Sequence, residues 1–338
     1  MILFPFMLQC NLIKMEQMCM STYLITGGCG FIGANFVRFL LDTNKDSKII
    51  NLDKLTYASN LDNLKDIDKA RHTLVVGDIA DPDTVKKIFT ENDIDFVVNF
   101  AAESHVDNSV RDPMLFFRSN IIGLSNLLDN ARLSWKGKEN KRFLHISTDE
   151  VYGAILEGTA DETAKLNPSS PYSSSKAAGD LIALSYFETY KFPILITRCT
   201  NNYGRFQHEE KFIPRIMKQV KSGKDITIHD SGKQSRDWLS VLDHCRAIYM
   251  VLKNGRLGEI YNVGANHPYT IKEVAERLLA YVKTKINTKS KLTYVKGREV
   301  DDFRYLLNCE KIEKEVGWKP SIDFDLGLKE TIDWYLNN

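Results

Sequence analysis

The chain has 338 residues, 43% of them apolar, enough for a large core in one or two domains. Its formal net charge of +1 gives no electrostatic case for a nucleic-acid or polyanion partner. Six cysteines (Cys10, Cys19, Cys29, Cys199, Cys245 and Cys309) are scattered without CxxC or metal-type spacing, which reads as reduced thiols in a cytoplasmic protein with no metal.

Residues 1–20 stand apart. Met1 to Leu8 is apolar but too short to span a bilayer, and it lacks a basic leader and a small-residue cleavage site. The stretch reads as an extension outside the fold or a start placed too early. No later run is long and apolar enough to be transmembrane, and no membrane partner is expected.

From Thr22 the chain alternates β-rich and helical runs. Strands are expected at Thr22–Thr26, Lys48–Leu52, Thr73–Val76, Asp95–Phe100, Phe143–Ile146 and Ile194–Ile196. Helical spacing appears at Asn35–Leu41, Met114–Leu128 and Ala177–Tyr190. Nearly continuous apolar strands between helices predict an α/β fold, a parallel sheet covered on both faces. Beyond about residue 200 the alternation breaks down. Helices are expected at Lys211–Ser222, Ile271–Lys283 and Leu326–Leu336, with a short strand at Ile226–Ile228. The division is therefore 21–200 for a dinucleotide-binding domain and 201–338 for a smaller, mixed α/β substrate domain.

Gly27, Gly30 and Gly33 have the spacing G-x-x-G-x-x-G between the first strand and the first helix. Glycines there permit a tight turn and bring the helix amino terminus up to a pyrophosphate. Asp53 ends the second strand about 20 residues on, which completes a Rossmann-type fingerprint in a doubly wound sheet. A carboxylate at that place accepts from a ribose 2′-hydroxyl and repels a 2′-phosphate, so NAD is expected over NADP. Asp78, ending the third strand, is placed to meet the adenine or, equally, to cap a turn before Pro82.

Tyr172 and Lys176 form Y-x-x-x-K, four apart and so on one helix face. A nearby ammonium favours a phenolate, which can take a proton from an alcohol while a hydride leaves for the nicotinamide. Thr148, Asp149 and Glu150 end the fifth strand, at the carboxyl edge where open α/β sheets bind ligands. Two neighbouring carboxyls tend to split their pKa values, which suits one acid and one base. A hydrogen-bonded structural role for His105 is as well supported as a catalytic one.

The segments TGGCGFIG (26–33), NLDKLTYASNL (51–61), NFAAESHVDNSV (99–110), HISTDEVYG (145–153), SPYSSSKAAGD (170–180), TRCTNNYG (197–204) and RDWL (236–239) resemble those of the extended short-chain dehydrogenase/reductases. Within that group the chain is similar to the nucleotide-sugar 4,6-dehydratases, since epimerases of the same superfamily lack the Asp-Glu pair after the threonine. The resemblance implies oxidation of a sugar at C4, loss of water across C5 and C6 with Glu150 as base and Asp149 as acid, and return of the hydride to C6. It implies cofactor contacts from Phe31, Ile32, Asp53, Lys54, Asp78, Ala101, Ala102, Glu103, Ser119, Tyr172, Lys176 and Asn202, with Leu55, Thr56, Ile79 and Phe100 flanking them. Ser104, Thr148, Asn201, Lys211, Phe212, Arg236, Arg298 and Asp301 would meet the nucleoside-diphosphate sugar. Asp301 stands where the family has a histidine, and Gly204 to Gln207 and Asp230 to Gly232 also depart from its pattern. Those departures leave dTDP-glucose and UDP-glucose both open. A homodimer is expected by analogy, through helices near Met114–Asn130 and Ala177–Tyr190. A non-catalytic dinucleotide-binding regulator is the rival from another class.

Overall fold

The computed structural model describes residues 20–297 and 303–338. Residues 1–19 and the expected nucleotide contacts Arg298 and Asp301 lie outside the described residues. The first half runs β1 (Ser21–Thr26), α1 (Phe31–Thr43), β2 (Ser47–Asp53), β3 (His72–Val76), α2 (Pro82–Glu91), β4 (Phe96–Asn99), α3 (Val106–Arg111), α4 (Pro113–Phe117), α5 (Leu124–Ser134), β5 (Arg142–Thr148), α6 (Pro171–Tyr190) and β6 (Ile194–Cys199). The second half runs β7 (Asn201–Tyr203), α7 (Phe212–Lys221), β8 (Ile226–His229), β9 (Ser235–Ser240), α8 (Val241–Asn254), β10 (Ile260–Val263), β11 (Pro268–Thr270), α9 (Ile271–Lys285), β12 (Leu292–Val295), α10 (Glu310–Val316) and α11 (Phe324–Asn337).

The central sheet has the order β10-β6-β5-β4-β1-β2-β3, and every neighbouring pair is parallel. This is the doubly wound order with its reversal between β1 and β4, where ligands bind outside the carboxyl ends of the strands. Its seventh strand, β10, comes from beyond residue 200. On one face α1 and α8 bury Phe36, Val37 and Leu40 with Cys245, Ile248 and Val251. On the other, α2, α5 and α6 bury Val85, Ile88, Leu127, Leu128 and Ala183. Each of the Val, Leu, Ile and Phe side chains among these stabilises the fold by about 1.5–3 kcal/mol.

The remaining elements form a smaller body around Ile213, Ile216, Trp238, Val274, Leu278, Phe324 and Leu328. It holds a three-stranded sheet, β11-β9-β7, and a parallel pair, β12-β8. Of these five short strands only β8 was legible in the sequence.

One expected helix is broken. Met114–Leu128 becomes α4, a π-helical turn over Arg118–Gly123, and α5. The wider turn sets Ser119 and Asn120 inward, and a Cβ at Gly123 would lie 2.6 Å from Ile79 Cγ1, so the turn packs directly on the loop after β3.

Candidate active site

The turn after β1 starts the site. Gly27 has φ +70°, and a Cβ at Gly33 would lie 2.2 Å from the Gly27 carbonyl oxygen. Only glycines let the chain fold back this tightly. Helix α1 then begins at Gly30 with no side-chain cap and no acidic residue in its first turn. Its first N–H groups are left for an anion.

Six strand ends of the sheet contribute to one cavity of about 320 Å³. Gly27, Lys54, Asp78, Phe100, Asp149 and Thr200 follow β1 to β6 closely and all line it. Gly30, Phe31, Ile32, Gly33, Asp53, Thr56, Ile79, Ala101, Ala102, Glu103, Ser119 and Asn202 line it too. Leu55 does not. It has φ +54°, its side chain packs on the core, and its N–H donates to Asp53 Oδ1 at 2.8 Å. Asp53 also accepts from Cys29 N and Ser59 Oγ, each at 2.8 Å. A carboxylate has about four lone-pair sites, so one remains for a ligand hydroxyl. Asp78 accepts from Ala80 N at 2.9 Å, which bears out its turn-cap reading, and meets Lys54 Nζ at 2.9 Å on the cavity wall.

Helix α6 is started by a capping box between Ser170 and Ser173, with Pro171 in its first turn. This places Tyr172 and Lys176 against the end of β5. Lys176 Nζ donates to the Ile146 carbonyl at 2.6 Å and stands 3.4 Å from His145 Nε2. Beneath it, Asp180 is paired with Arg198 at 2.9 Å. Burial brings the Lys176 ammonium down to about 8, against the pull of Asp180.

The expected effect of Lys176 on Tyr172 is not what the side chains show. Burial first, then the Glu150 carboxylate and Cys199, raise the phenol well above its usual value, and only the Thr148 hydroxyl opposes them appreciably. The ammonium donates to the Ile146 carbonyl instead.

Thr148 Oγ1 donates to Asp149 Oδ1 at 3.2 Å and accepts from Glu150 N at 3.3 Å. Asp149 is 3% exposed, and its Oδ2 has no hydrogen-bond partner. Burial and the neighbouring Glu150 raise its carboxyl well above the carboxylate range, with Arg236 pulling the other way. These surroundings favour its protonated form.

A second cavity, of about 210 Å³, adjoins the first. Phe212, Arg236, Trp238 and Tyr305 line it, and Arg236 stacks on the Tyr305 ring at 4.9 Å. Ser104, Glu150, Asn201, Glu210 and Lys211 line both cavities and so form the wall between them. His105 caps α3, accepting from Asn108 N at 3.4 Å, which favours its structural role.

A family model described as GDP-mannose 4,6 dehydratase matches residues 24–331. The chain belongs to that family. Among the family's curated members, the dTDP-glucose 4,6-dehydratase of Xanthomonas campestris pv. campestris strain B100 is 43% identical over 332 residues, spanning 94% of both chains. The dTDP-glucose 4,6-dehydratase of Bacillus anthracis, solved with NAD, has a TM-score of 0.85 at 42% identity, covering 94% of this chain and 97% of its own. That of Streptomyces venezuelae, also with NAD, has a TM-score of 0.87 at 41% identity with the same coverage.

Sequence reasoning missed Glu210, the acidic member of the wall, and His208 near it, and singled out Gln207 only as a departure from the family's pattern. They lie in the loop between β7 and α7, which has no periodicity to mark it. In this family member the loop is tied down by Tyr335, whose hydroxyl donates to the Gln207 carbonyl at 2.7 Å. That contact spans most of the smaller body and has no local sequence signal.

Proposed function

We propose that this chain is an NAD-dependent nucleotide-sugar 4,6-dehydratase that converts dTDP-glucose to dTDP-4-keto-6-deoxyglucose and water. The observation that carries the reading is the buried Asp149, its Oδ2 without a partner, beside Glu150, on the side of the first cavity that meets the second. The uncapped start of α1 and the remaining acceptor site of Asp53 suit a dinucleotide with a free ribose 2′-hydroxyl. NAD, when bound, supplies a reversible two-electron acceptor.

The roles follow from the chemistry of each group. Tyr172 takes the proton of the C4 hydroxyl, which Thr148 helps to orient; the phenolate this needs is favoured by the Thr148 hydroxyl and would be favoured further by the positive charge of bound NAD. A ketone at C4 acidifies the C5 hydrogen, and Glu150 removes it. Asp149 gives its proton to the C6 hydroxyl as that group departs. Lys211 and Arg236 offer positive charge to the diphosphate, and Ser104 and Asn201 offer polar contacts to the sugar. Arg298 and Asp301 complete the proposed nucleotide contacts. An epimerase of the same fold has no use for a paired acid and base at this wall. The names of the relatives at 41–43% identity favour deoxythymidine over uridine.

We further propose a homodimer, supported by Met114, Ile122 and Leu181 exposed at 66%, 57% and 59% on the outer face of the helical layer. Among the described residues no helix is long and apolar enough to cross a membrane. The buried free thiols Cys29, Cys199, Cys245 and Cys309 support a reducing, cytoplasmic setting. The deciding experiment incubates the protein with dTDP-glucose and UDP-glucose separately and follows the 4-keto-6-deoxy product. Rapid turnover of dTDP-glucose is expected. A C4 epimer, or cofactor reduction with no loss of water, overturns the reading.

A further inference from the structure

Helix α8 carries a histidine where its packing calls for an apolar residue. Val241, His244, Cys245 and Ile248 fall on one buried stripe of the helix, and His244 is 0% exposed. Burial brings its ring down to about 3, so the imidazole is neutral and carries a single proton. Among the described residues its Nε2 has no partner, an arrangement that costs stability. Nδ1, by contrast, lies 2.9 Å from Oδ1 of Asn202.

The contacts of Asn202 decide which way that bond runs. Its Nδ2 donates to the Thr200 carbonyl at 2.9 Å, an oxygen that can only accept. Its Oδ1 therefore faces His244, and the ring proton resides on Nδ1. Gln207 Nε2 donates to the Asn202 backbone carbonyl at 2.9 Å, so the backbone is held as well. An amide nitrogen has two donors. Thr200 takes one, and the other remains on the wall of the first cavity, which Asn202 lines. Cys199 pairs with Thr148 in the β5–β6 register, and Asn202 follows in β7. Asp53 and Asp78 belong to β2 and the turn after β3, on the other side of β1. Asn202 thus stands at the end of the cavity that holds Tyr172 and Lys176, where a hydride acceptor has to lie.

We infer that His244, which lines neither cavity, is a positioning residue for the cofactor: it fixes the Asn202 amide so that the second N–H meets an acceptor oxygen on the nicotinamide half of NAD. The inference rests on NAD as the cofactor of the proposed reaction. Without the Nδ1–H, the Asn202 Oδ1 would be buried and unpaired, and the amide would turn to satisfy it. The donor aimed at the cofactor turns with it.

Titration of the full chain with NAD, in the absence of sugar, tests the assignment. It compares wild type, His244→Leu, His244→Asn, Asn202→Ala and the double variant His244→Leu/Asn202→Ala. His244→Leu is expected to weaken NAD binding about three- to tenfold, the size of one hydrogen bond. His244→Asn, whose amide N–H stands near the place of the Nδ1–H, is expected to restore most of that loss. The double variant is expected to bind NAD no more weakly than Asn202→Ala alone, because His244 acts only through that amide. Unchanged binding in His244→Leu overturns the inference, and so do losses that add in the double variant, the mark of a merely structural histidine. Should His244→Leu not fold, nitrogen NMR of isotope-labelled histidine in the wild type decides. A ring protonated on Nδ1 supports the inference, and one protonated on Nε2 overturns it. Wild type that binds no NAD overturns it too. The expected set of NAD affinities without any 4-keto-6-deoxy product overturns the reaction reading and leaves this inference supported.

Discussion

Asp149 and Glu150 are adjacent carboxyls with different surroundings, and the difference assigns their work. The folded-state pKa of Asp149 lies above its unfolded value of 3.8. Its contribution to stability is therefore complete below that unfolded value and is lost as pH rises through the folded one. Asp149→Asn should raise the melting temperature at pH 8 but not at pH 4, while lowering turnover by about 10²–10⁴-fold; calorimetry at both pH values checks the first and product assay the second. Glu150→Gln should retain cofactor reduction by the sugar yet lose exchange of the C5 hydrogen in deuterated water, read by NMR. Full exchange in that variant would remove Glu150 from the base role. The adjacency of the pair was legible in the sequence. The upward pull on the Asp149 carboxyl was not, because it comes first from burial, which distant parts of the chain impose, and is opposed by Arg236, 87 positions further on.

At the scale of elements, the site depends on how strands stop and helices start. The Gly27–Gly33 turn and Asp53 at the end of β2 were readable, since glycine spacing and strand-end carboxylates are local signals, whereas α6 starts six residues before the expected Ala177, at a Ser170–Ser173 capping box. Gly33→Ala is expected to weaken NAD binding at least about tenfold and to lower the melting temperature by several degrees, as its methyl would collide with the Gly27 carbonyl. Cofactor titration by fluorescence and a thermal melt check both. The π turn at Arg118–Gly123 was not legible, because one extra residue per turn hardly disturbs the apolar spacing of the surrounding helix. The short strands β7, β9, β11 and β12 escaped for a related reason. Each has three to six residues, too few to establish an alternating pattern.

For the whole molecule, the same helical layer that carries Tyr172 and Lys176 on its inner side shows Leu181 to solvent on its outer side. Leu181→Asp should cost the isolated fold within about 0.5 kcal/mol, as exposed substitutions usually do. It should nonetheless convert a dimer to a monomer, which light scattering coupled to size exclusion measures; an unchanged mass would place the contact elsewhere.

The parentage of β10 has a practical consequence for anyone dissecting this chain. The strand laid along β6 is drawn from residues 260–263, after the polypeptide has already visited the smaller body. A fragment stopped at residue 200 would leave β6 with a bare row of amides and carbonyls, and strip α8 from the apolar side of α1. Such a piece would be sticky and short of its seventh rib, so the two bodies are genetically interleaved and cannot be severed with a single cut.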